Sequence, residues 1–487
     1  MREVDHFING SFVPSASGAR IHRENPATGE LLLLVARGDG ADVAKAADAA
    51  TRAFESWGKM PASDRSRIML VIAAGIDARL DELAQLECED TGKPLALARS
   101  LDIPRAAANF RFFATAILHD ASESFMTERP ARALNYVLRK PLGVVGCISP
   151  WNLPLYLFTW KIAPALAAGN CVIAKPSELT PSSAAALCDI ARNAGLPPGV
   201  LNIVNGLGAE AGQAIVDCSA VRAVSFTGGT ATGRRIAARC GERLIPASLE
   251  LGGKNAAIVC EDADIALAVP EIARSAFLNQ GEICLCSSRI LVHRSRMKEF
   301  TERFIFAARG LTVGDPMSTE SDLGALVSKA HREKVMAAVE RGVADGGVVA
   351  CGGEIPRNLS ARVANGAFLQ PTVLLGVPQA SSCVQEETFG PVVTVQGFDR
   401  HRDAVMMANG TRYGLAASVW TRDLTRAHRM AARIDAGTVW VNCWMLRDLR
   451  VPFGGVKDSG IGREGGHEAL RFFSDVSNVC ISMGEAL

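Results

Sequence analysis

The stretch VVGCISPWNLPLYLFTWKIAPALAAGNCVIA, residues 144–174, places two short apolar runs on either side of a longer segment rich in Ala and Leu. Similar runs follow at 200–204 (VLNIV) and 223–227 (AVSFT), again separated by Ala-rich segments. Short strands that alternate with helices predict right-handed β-α-β units and a parallel sheet covered on both faces. This region therefore predicts an α/β fold.

The alternation returns further along the chain, in NAAIVC (255–260), RILVH (289–293), ASVWT (417–421) and TVWVN (438–442). A second α/β unit explains these runs, and 487 residues with 48% hydrophobic content are more than one core usually needs. Apolar residues at three- and four-residue intervals predict helices over 41–57, 64–89 and 104–119. Residues 127–139 and 472–482 look extended without a core of their own, which predicts arms that pair with another subunit in a homodimer or homotetramer.

The charge of the chain is nearly balanced, with 52 basic and 51 acidic residues. Such a chain has no long-range field that would attract nucleic acid or an anionic membrane, so we expect a small-molecule partner. The segment MREVDHFING lacks a signal-peptide core, and no later run reaches the ~18 apolar residues of a spanning helix. We expect a cytoplasmic protein.

The thirteen cysteines are scattered and odd in number, which favours reduced thiols over a disulfide framework. No C-x2-C pair is matched by a second pair at zinc-finger spacing, so we expect no metal. FLNQGEICLCSSR (277–289) nevertheless holds two cysteines around one Leu, and from spacing alone either could be a nucleophile, a redox partner or core filler.

Two glycine-rich segments follow predicted strands. GLGAEA (206–211) fits a dinucleotide fingerprint, and FTGGTATGRR (226–235) turns from strand into helix, where free N–H groups could face a pyrophosphate. Both also read as ordinary tight turns, and spacing does not decide between the two interpretations. ISPWNLPLY (148–156) holds an Asn between two prolines, and LELGGK (249–254) ends a strand on a Glu beside paired glycines.

Five motifs in order, FTGG, LELGGKN, NQGEIC, EETFGPV and PFGGVKDSGIGRE, resemble the signature of the aldehyde dehydrogenase superfamily over nearly the whole chain. Four further stretches, LDIPRAAANFRFFA, SPWNLPLYLFTWKIAPALAAGN, GEICLCSSR and VNCWMLRDLRVPFGG, are similar to its muconic semialdehyde branch. The resemblance implies a Rossmann-like NAD-binding domain (1–121 and 141–251), an α/β catalytic domain (252–449) and small β oligomerisation arms (122–140 and 468–487). It also implies oxidation of 2-aminomuconate 6-semialdehyde, or of the 2-hydroxy or another acid-bearing semialdehyde, in tryptophan or related aromatic catabolism.

The same resemblance assigns roles to residues. Cys284 would be the nucleophile with Cys286 a packed neighbour, Asn152 an oxyanion donor and Glu250 the general base. Since a free thiol is only slightly ionised at neutral pH, the site is expected to favour the thiolate. Contacts to NAD are implied for Ser149, Trp151, Lys175, Ser177, Glu178, Gly228, Gly229, Leu251, Glu387 and Phe389.

Two of these positions bear on cofactor choice. A carboxylate at Glu178 accepts from a ribose 2′-OH and repels a 2′-phosphate, which favours NAD over NADP. At Gly229 many members of the family have Ser, which puts that pyrophosphate contact in doubt.

Substrate choice is implied by Arg105 and Arg447, at positions commonly apolar in the family's aldehyde tunnel, together with Phe453. Two guanidinium groups in one tunnel would hold a carboxylate by forked hydrogen bonds, although surface ion pairs are the usual fate of arginine. Arg111 and Arg450 are nearby candidates that could be confused with them. Three alternatives stay open: a coenzyme A-acylating enzyme, a non-catalytic NAD-binding protein, and a thiol redox sensor built on Cys284 and Cys286.

Overall fold

Two large sheets organise the computed structural model, which describes residues 1–484. The strands of this region are β1 (Arg2–Val4), β2 (His6–Ile8), β3 (Ser11–Val13), β4 (Arg20–Glu24), β5 (Leu31–Ala36), β6 (Ser124–Thr127), β7 (Ala133–Pro141), β8 (Val144–Ile148), β9 (Cys171–Lys175), β10 (Leu201–Ile203), β11 (Val221–Thr227), β12 (Ala247–Glu250), β13 (Asn255–Val259), β14 (Ser287–His293), β15 (Val348–Cys351), β16 (Thr372–Leu375), β17 (Val392–Phe398), β18 (Tyr413–Gly414), β19 (Ala416–Trp420), β20 (Thr438–Val441), β21 (Val456–Lys457), β22 (Gly460–Ile461) and β23 (Ser474–Ser482).

The α-helices of the same region are α1 (Gly40–Trp57), α2 (Ala62–Ala78), α3 (Leu80–Thr91), α4 (Leu95–Leu97), α5 (Ile103–Ala116), α6 (Pro154–Ala167), α7 (Ser182–Asn193), α8 (Gln213–Asp217), α9 (Thr230–Glu242), α10 (Ile265–Phe277), α11 (Met297–Arg309), α12 (Lys329–Ala344), α13 (Ser382–Gln385), α14 (His401–Asn409), α15 (Leu424–Ala431) and α16 (Gly466–Phe472). Helical turns of π geometry over Ala98–Asp102 and Gly208–Gly212 lead into α5 and α8. None of the helices in residues 1–484 is both long and apolar enough to cross a membrane.

The first large sheet has the order β22-β12-β11-β8-β9-β10-β2-β3. Its strands β12, β11, β8, β9 and β10 run parallel, as the sequence predicted. Every residue of β8 and β9 is buried, which is the pattern of strands covered on both faces. The carboxyl ends of these strands therefore meet at one edge, where an α/β sheet binds ligands.

The second large sheet has the order β15-β16-β17-β14-β13-β19-β20. Its central strand β13 pairs parallel with both β14 and β19, and all five of its residues are buried. Separate apolar clusters lie on its two faces, one built from α10 and α11 and the other from α14 and α15. The prediction of a second α/β unit is confirmed.

The extended segments form a small antiparallel sheet of order β23-β7-β6, with β23 paired to β7 from Ser474–Pro141 to Ser482–Ala133. Residues 468–472 of the predicted arm instead belong to α16, whose Ala469 and Leu470 pack in the core of the first sheet. The arm strand therefore begins at Ser474, and residues 485–487 lie outside the described part of the chain.

Two other predictions differ from the structure. The helix expected over 64–89 is broken at Arg79 (φ −109°, ψ 25°), whose guanidinium donates to the Ala186 carbonyl of α7 at 3.2 Å. Because the chain bends at this break, α3 packs against α7. The helical periodicity of the sequence does not indicate this tertiary contact. Residues 450–467, which the predicted domains and arms do not include, return to the first sheet, where β22 pairs antiparallel with β12.

Candidate active site

A cavity of about 490 Å³ lies where the carboxyl ends of the first sheet face the loops of the second. Residues from both parts of the chain surround it, because β11, β12 and the loop after β8 end here and the loop before β14 crosses in front of them. The lining consists of Pro150, Trp151, Asn152, Thr227, Gly228, Gly229, Leu251, Gly252, Cys284, His331, Lys334, Ala338, Arg341, Glu387, Thr388 and Phe389.

Cys284 lies on a tight loop in front of β14. The preceding residues Asn279, Gln280 and Gly281 all have positive φ (53°, 56° and 71°), and a side chain at Gly281 would collide with the Gly390 carbonyl. Such left-handed backbone is costly outside glycine and persists where the surroundings enforce it, often at functional sites. The Cys284 carbonyl accepts from Asn255 Nδ2 at 2.7 Å, which anchors the loop while the thiol faces the cavity.

Cys286 has a different environment from Cys284. Its side chain is buried in an apolar cluster, and its carbonyl accepts from the same Asn255 amide at 2.9 Å. Burial raises the pKa of its thiol further than that of Cys284. A buried, protonated thiol of this kind is chemically inert, as expected of a packed neighbour.

The surroundings of the Cys284 thiol oppose its ionisation in the protein without NAD. Burial raises its pKa to about 12, and the charges of Glu387 and Glu250 add to the increase, whereas Arg447 opposes it. The expectation that the site favours the thiolate stays a prediction for the site with NAD and substrate bound.

Asn152 lies between β8 and α6, in the turn stiffened by Pro150 and Pro154. Its side chain is 3% exposed and Nδ2 donates to the Glu282 carbonyl at 2.9 Å, two residues before Cys284. A primary amide has two N–H groups, and this bond uses one of them. The second remains for the cavity that Asn152 and Cys284 line together.

Glu250 ends β12 and is 4% exposed. Neither of its carboxyl oxygens accepts a hydrogen bond from residues 1–484. Burial, and next the charge of Glu464, raise the pKa of Glu250 well above its ordinary value. Glu464 is itself paired with Lys161 at 2.6 Å. Glu250 is outside the lining of the cavity that holds Cys284, and its charge contributes to the raised pKa of the Cys284 thiol.

Several predicted cofactor residues share the cavity with Cys284. Gly228 and Gly229 precede α9, and a Cβ added at Gly229 would meet nothing within 4 Å. The Glu387 carboxylate accepts from the Gly253 N–H at 2.9 Å, and burial raises its pKa to about 7. Phe389 packs edge-on against Trp151, with ring centroids 5.3 Å apart. Leu251 completes this group.

The remaining predicted cofactor residues lie at the neighbouring strand ends, outside the lining of that cavity. Lys175 Nζ pairs with Glu178 Oε2 at 3.0 Å, and the Lys175 carbonyl accepts from the Ser149 N–H at 3.1 Å. Ser177 is buried beside them. The segment 206–211 enters the π turn before α8, where Glu210 pairs with Arg37 instead of facing the cavity.

Arg105 and Arg447 come together at a second cavity of about 670 Å³. Arg447 lies 3.9 Å from the Phe453 ring centroid and donates to the Tyr156 hydroxyl at 3.2 Å. Arg105 lies 5.3 Å from the Tyr156 ring centroid, and its Nε and Nη2 have no hydrogen-bond partner among the described residues. Within residues 1–484, neither guanidinium forms a salt bridge, and both lie against aromatic rings instead.

The two rival arginines have carboxylate partners, although Arg450 lines the same cavity as Arg105 and Arg447. Arg111 pairs with Asp77 on α2, and Arg450 pairs with Asp448 at 2.6 Å. Both of these arginines therefore make the surface ion pairs that are usual for the residue, whereas Arg105 and Arg447 do not.

Sequence reasoning missed the contribution of α12. His331, Lys334, Ala338 and Arg341 line the cavity from this helix, and His331 donates to the Phe389 carbonyl at 2.7 Å. Their spacing of three, four and three residues places them on one face of a helix, and this pattern could have been recognised in the sequence. Nothing in the local sequence indicated that this face meets the ends of β11 and β12.

Comparison with known proteins agrees with this geometry. The model of the aldehyde dehydrogenase family matches residues 12–479. The chain belongs to the aldehyde dehydrogenase family. It is 46% identical to a 2-hydroxymuconic semialdehyde dehydrogenase of Pseudomonas sp. (strain CF600), over 99% of this chain and 100% of that protein. It is also 46% identical to the 2-aminomuconic semialdehyde dehydrogenase of Homo sapiens, over 98% of each chain.

A solved relative has the same fold. The structure of PnpE in complex with nicotinamide adenine dinucleotide matches with a TM-score of 0.96 at 41% identity, covering 99% of this chain and 98% of that one. The predicted family, enzyme class and aldehyde dehydrogenase fold are confirmed.

Proposed function

We propose that this aldehyde dehydrogenase uses NAD to oxidise 2-aminomuconate 6-semialdehyde or its 2-hydroxy counterpart, in tryptophan or related aromatic catabolism. One observation carries the proposal: two neighbouring guanidinium groups, Arg105 and Arg447, lack a carboxylate partner within the described chain and face one cavity, with Arg447 packed on Phe453 of the apolar cluster that Cys284 contacts. Both side chains are half-buried, and charges taken partly out of water are normally paired, so this pair of arginines fits an anionic ligand. Both relatives above are named for substrates of this class.

The residues around the first cavity fit NAD. The Thr227 hydroxyl is buried without a partner in residues 1–484, and the N–H groups at the start of α9 open beside Gly228 and Gly229. A helix N-terminus of this kind favours a pyrophosphate. Glu387 would hold a ribose hydroxyl, and Glu178, paired with Lys175, favours NAD over NADP.

In this proposal residues 1–121 and 141–251 form the NAD-binding domain and 252–449 the catalytic domain. When bound, NAD supplies the acceptor for the aldehyde hydride. The other roles belong to side chains of this chain.

Arg105 and Arg447 bind the substrate carboxylate and leave the aldehyde directed toward Cys284. Glu250 is suited to activate a water molecule, because its raised pKa makes its ionised form a stronger base than an ordinary carboxylate. The Cys284 thiol loses its proton to solvent as the sulfur adds to the carbonyl carbon and gives a thiohemiacetal. Its oxyanion receives hydrogen bonds from Asn152 Nδ2 and the Cys284 N–H.

Departure of the hydride leaves a thioester on Cys284. Glu250 then removes a proton from the water that attacks this thioester, and the carboxylic acid leaves as the thiol is restored. The ion pair of Lys161 and Glu464 beside Glu250 keeps this buried region polar. An intact base at position 250 argues for hydrolysis rather than transfer of the acyl group to coenzyme A.

We further propose a homodimer or homotetramer built through the arm sheet. The apolar side chains of Phe125, Met126, Val476 and Ile481 are all at least 49% exposed on β6 and β23, which supports burial by a second copy. Light scattering of the purified protein measures the subunit number, and a monomer would oppose this assignment. All thirteen cysteines are free, which fits a reducing, cytoplasmic compartment.

The activity is tested by steady-state reduction of NAD with the two muconic semialdehydes and with an uncharged aldehyde of similar length. The proposal predicts a much higher kcat/KM for the acids, with the free acid as product whether or not coenzyme A is added. Equal preference for the uncharged aldehyde would refute the substrate class. Binding of NAD without turnover of any semialdehyde would instead favour a non-catalytic protein. A large loss of peroxide sensitivity in Cys286→Ser would favour a redox sensor.

A further inference from the structure

Three charged or acidic residues are fully enclosed behind Asn152. Lys93 and Asp102 are 0% exposed and Glu87 is 1% exposed. None of them lines the cavity that holds Cys284. Glu87 lies on α3, Lys93 in the loop after it and Asp102 in the π turn before α5, all far in sequence from Asn152. Burying charges is costly unless they are paired and hydrogen-bonded.

Lys93 bridges a carboxylate and the backbone of Asn152. Its Nζ pairs with Asp102 Oδ2 and donates to the Asn152 carbonyl at 2.9 Å. Asn279 Nδ2 donates to the same carbonyl at 3.2 Å. The peptide group of Asn152 is therefore held from two directions, independently of the bond between its side chain and Glu282.

Glu87 holds the start of α6, which follows Asn152 directly. Its Oε1 accepts from the Leu155 N–H at 2.7 Å and from the Ser183 hydroxyl at 3.0 Å. The N-cap residue of α6 is Leu153, whose side chain cannot accept a hydrogen bond. Glu87, which lies on α3, therefore accepts the hydrogen bond that a capping side chain at position 153 would otherwise accept.

The cluster also has a consistent charge state. Burial and the nearby charge of Asp102 raise the pKa of Glu87 well above its ordinary value. Glu87 Oε2 and Asp102 Oδ1 are both buried without a hydrogen-bond partner among residues 1–484. A proton on Glu87 would let its carboxyl group donate to Asp102, which pairs with Lys93.

We propose that Lys93, Asp102 and Glu87 form a positioning cluster that fixes Asn152 where its amide can stabilise the oxyanion on the Cys284 adduct. The inference rests on the proposed function of Asn152. The cluster touches the Asn152 peptide and the first turn of α6, so it controls the position of the amide without meeting the substrate. A displacement of the order of 1 Å in such a group costs about 100-fold in rate.

The test uses the charge-balanced double variant Lys93→Met/Asp102→Asn in the full-length enzyme. We expect kcat for the semialdehyde to fall about 100-fold, with KM and the dissociation constant for NAD unchanged. Asn152→Ala alone should lower kcat about 10²- to 10³-fold. Adding the double variant to Asn152→Ala should lower it no further, because both act through one amide. Glu87→Gln should retain kcat, since its amide donates to Asp102 as the protonated acid does.

A matched control separates positioning from general stability. Asp42 is 0% exposed and pairs at 3.3 Å with His6 of β2, which lies beyond β9 and β10 from the strand β8 that precedes Asn152. We expect Asp42→Asn to lower the melting temperature while leaving kcat unchanged. If the double variant does not fold, Glu87→Leu takes its place, because this change removes only the cap of α6. Its kcat is then compared alone and in combination with Asn152→Ala.

The possible results are distinguishable. Losses that multiply in the combined variant, or a parental kcat in the cluster variant, would overturn the positioning role while leaving the proposed function intact. A parental kcat in Asn152→Ala would instead remove the oxyanion role of Asn152, and this inference would fall with it.

Discussion

Replacing Arg447 by Met tests the recognition of the substrate carboxylate. The methionine side chain keeps most of the volume over Phe453 and removes the charge. In the structure Arg447 donates one of its five N–H groups to the Tyr156 hydroxyl, and two of the remaining four can form a forked pair of bonds to the ligand. Each charge-assisted hydrogen bond contributes about 1.5–3 kcal/mol. Two of them correspond to about 3–6 kcal/mol, or roughly 10²- to 10⁴-fold in kcat/KM.

The assay is steady-state NADH formation with a muconic semialdehyde and with an uncharged aldehyde of similar length. We expect the large loss for the acid and less than about a threefold change for the uncharged aldehyde, because only the acid bonds to the guanidinium. Arg105→Met should behave in the same way. Arg111→Met is the matched control, since Arg111 pairs with Asp77 and should leave both substrates unaffected. Equal losses for the acid and the uncharged aldehyde would refute the reasoning.

Three further predictions concern the catalytic and cofactor residues. Glu250→Gln should retain a first turnover, seen as an NADH burst, while later turnovers slow by about 10²- to 10⁴-fold. The absence of a burst would contradict the role of Glu250 in thioester hydrolysis. The rate at which iodoacetamide alkylates Cys284 in the protein without NAD should still increase with pH at pH 9, because burial raises the pKa of this thiol to about 12 and the thiolate is the reactive form. A rate that reaches its plateau below pH 8 would contradict this prediction. Gly229→Ser should change NAD affinity by no more than about fivefold, measured calorimetrically, because a Cβ there meets nothing within 4 Å and one neutral hydrogen bond contributes about 1 kcal/mol. A tenfold loss would count against the open geometry.

The positions of the candidate site residues were predictable where these residues follow strands. Asn152, Gly228 and Glu250 each stand at the carboxyl end of a parallel strand, and strand ends of one sheet meet at one edge. Their chemical roles came from the family resemblance, because strand patterns do not distinguish a base from a structural carboxylate.

The contributions of distant segments were not predictable. Lys93 reaches the Asn152 carbonyl from the loop after α3, and α12 presents His331 to the cavity across the second sheet. Both depend on tertiary packing, as does the break at Arg79. The raised pKa of Cys284 was not predictable for the same reason, since it depends on burial and on Glu387, more than a hundred residues away. The two arginines were identified as a pair, but only the geometry distinguishes them from Arg111 and Arg450.

The central claim is that Cys284 carries the acyl group during oxidation of an acid-bearing semialdehyde. The most direct measurement is mass spectrometry of Glu250→Gln, mixed with NAD and the muconic semialdehyde and quenched in acid. The account predicts an adduct equal to the semialdehyde less two hydrogens, on the peptide that contains Cys284 and lost in Cys284→Ser. An adduct on Cys286, or turnover without any adduct at position 284, would contradict it.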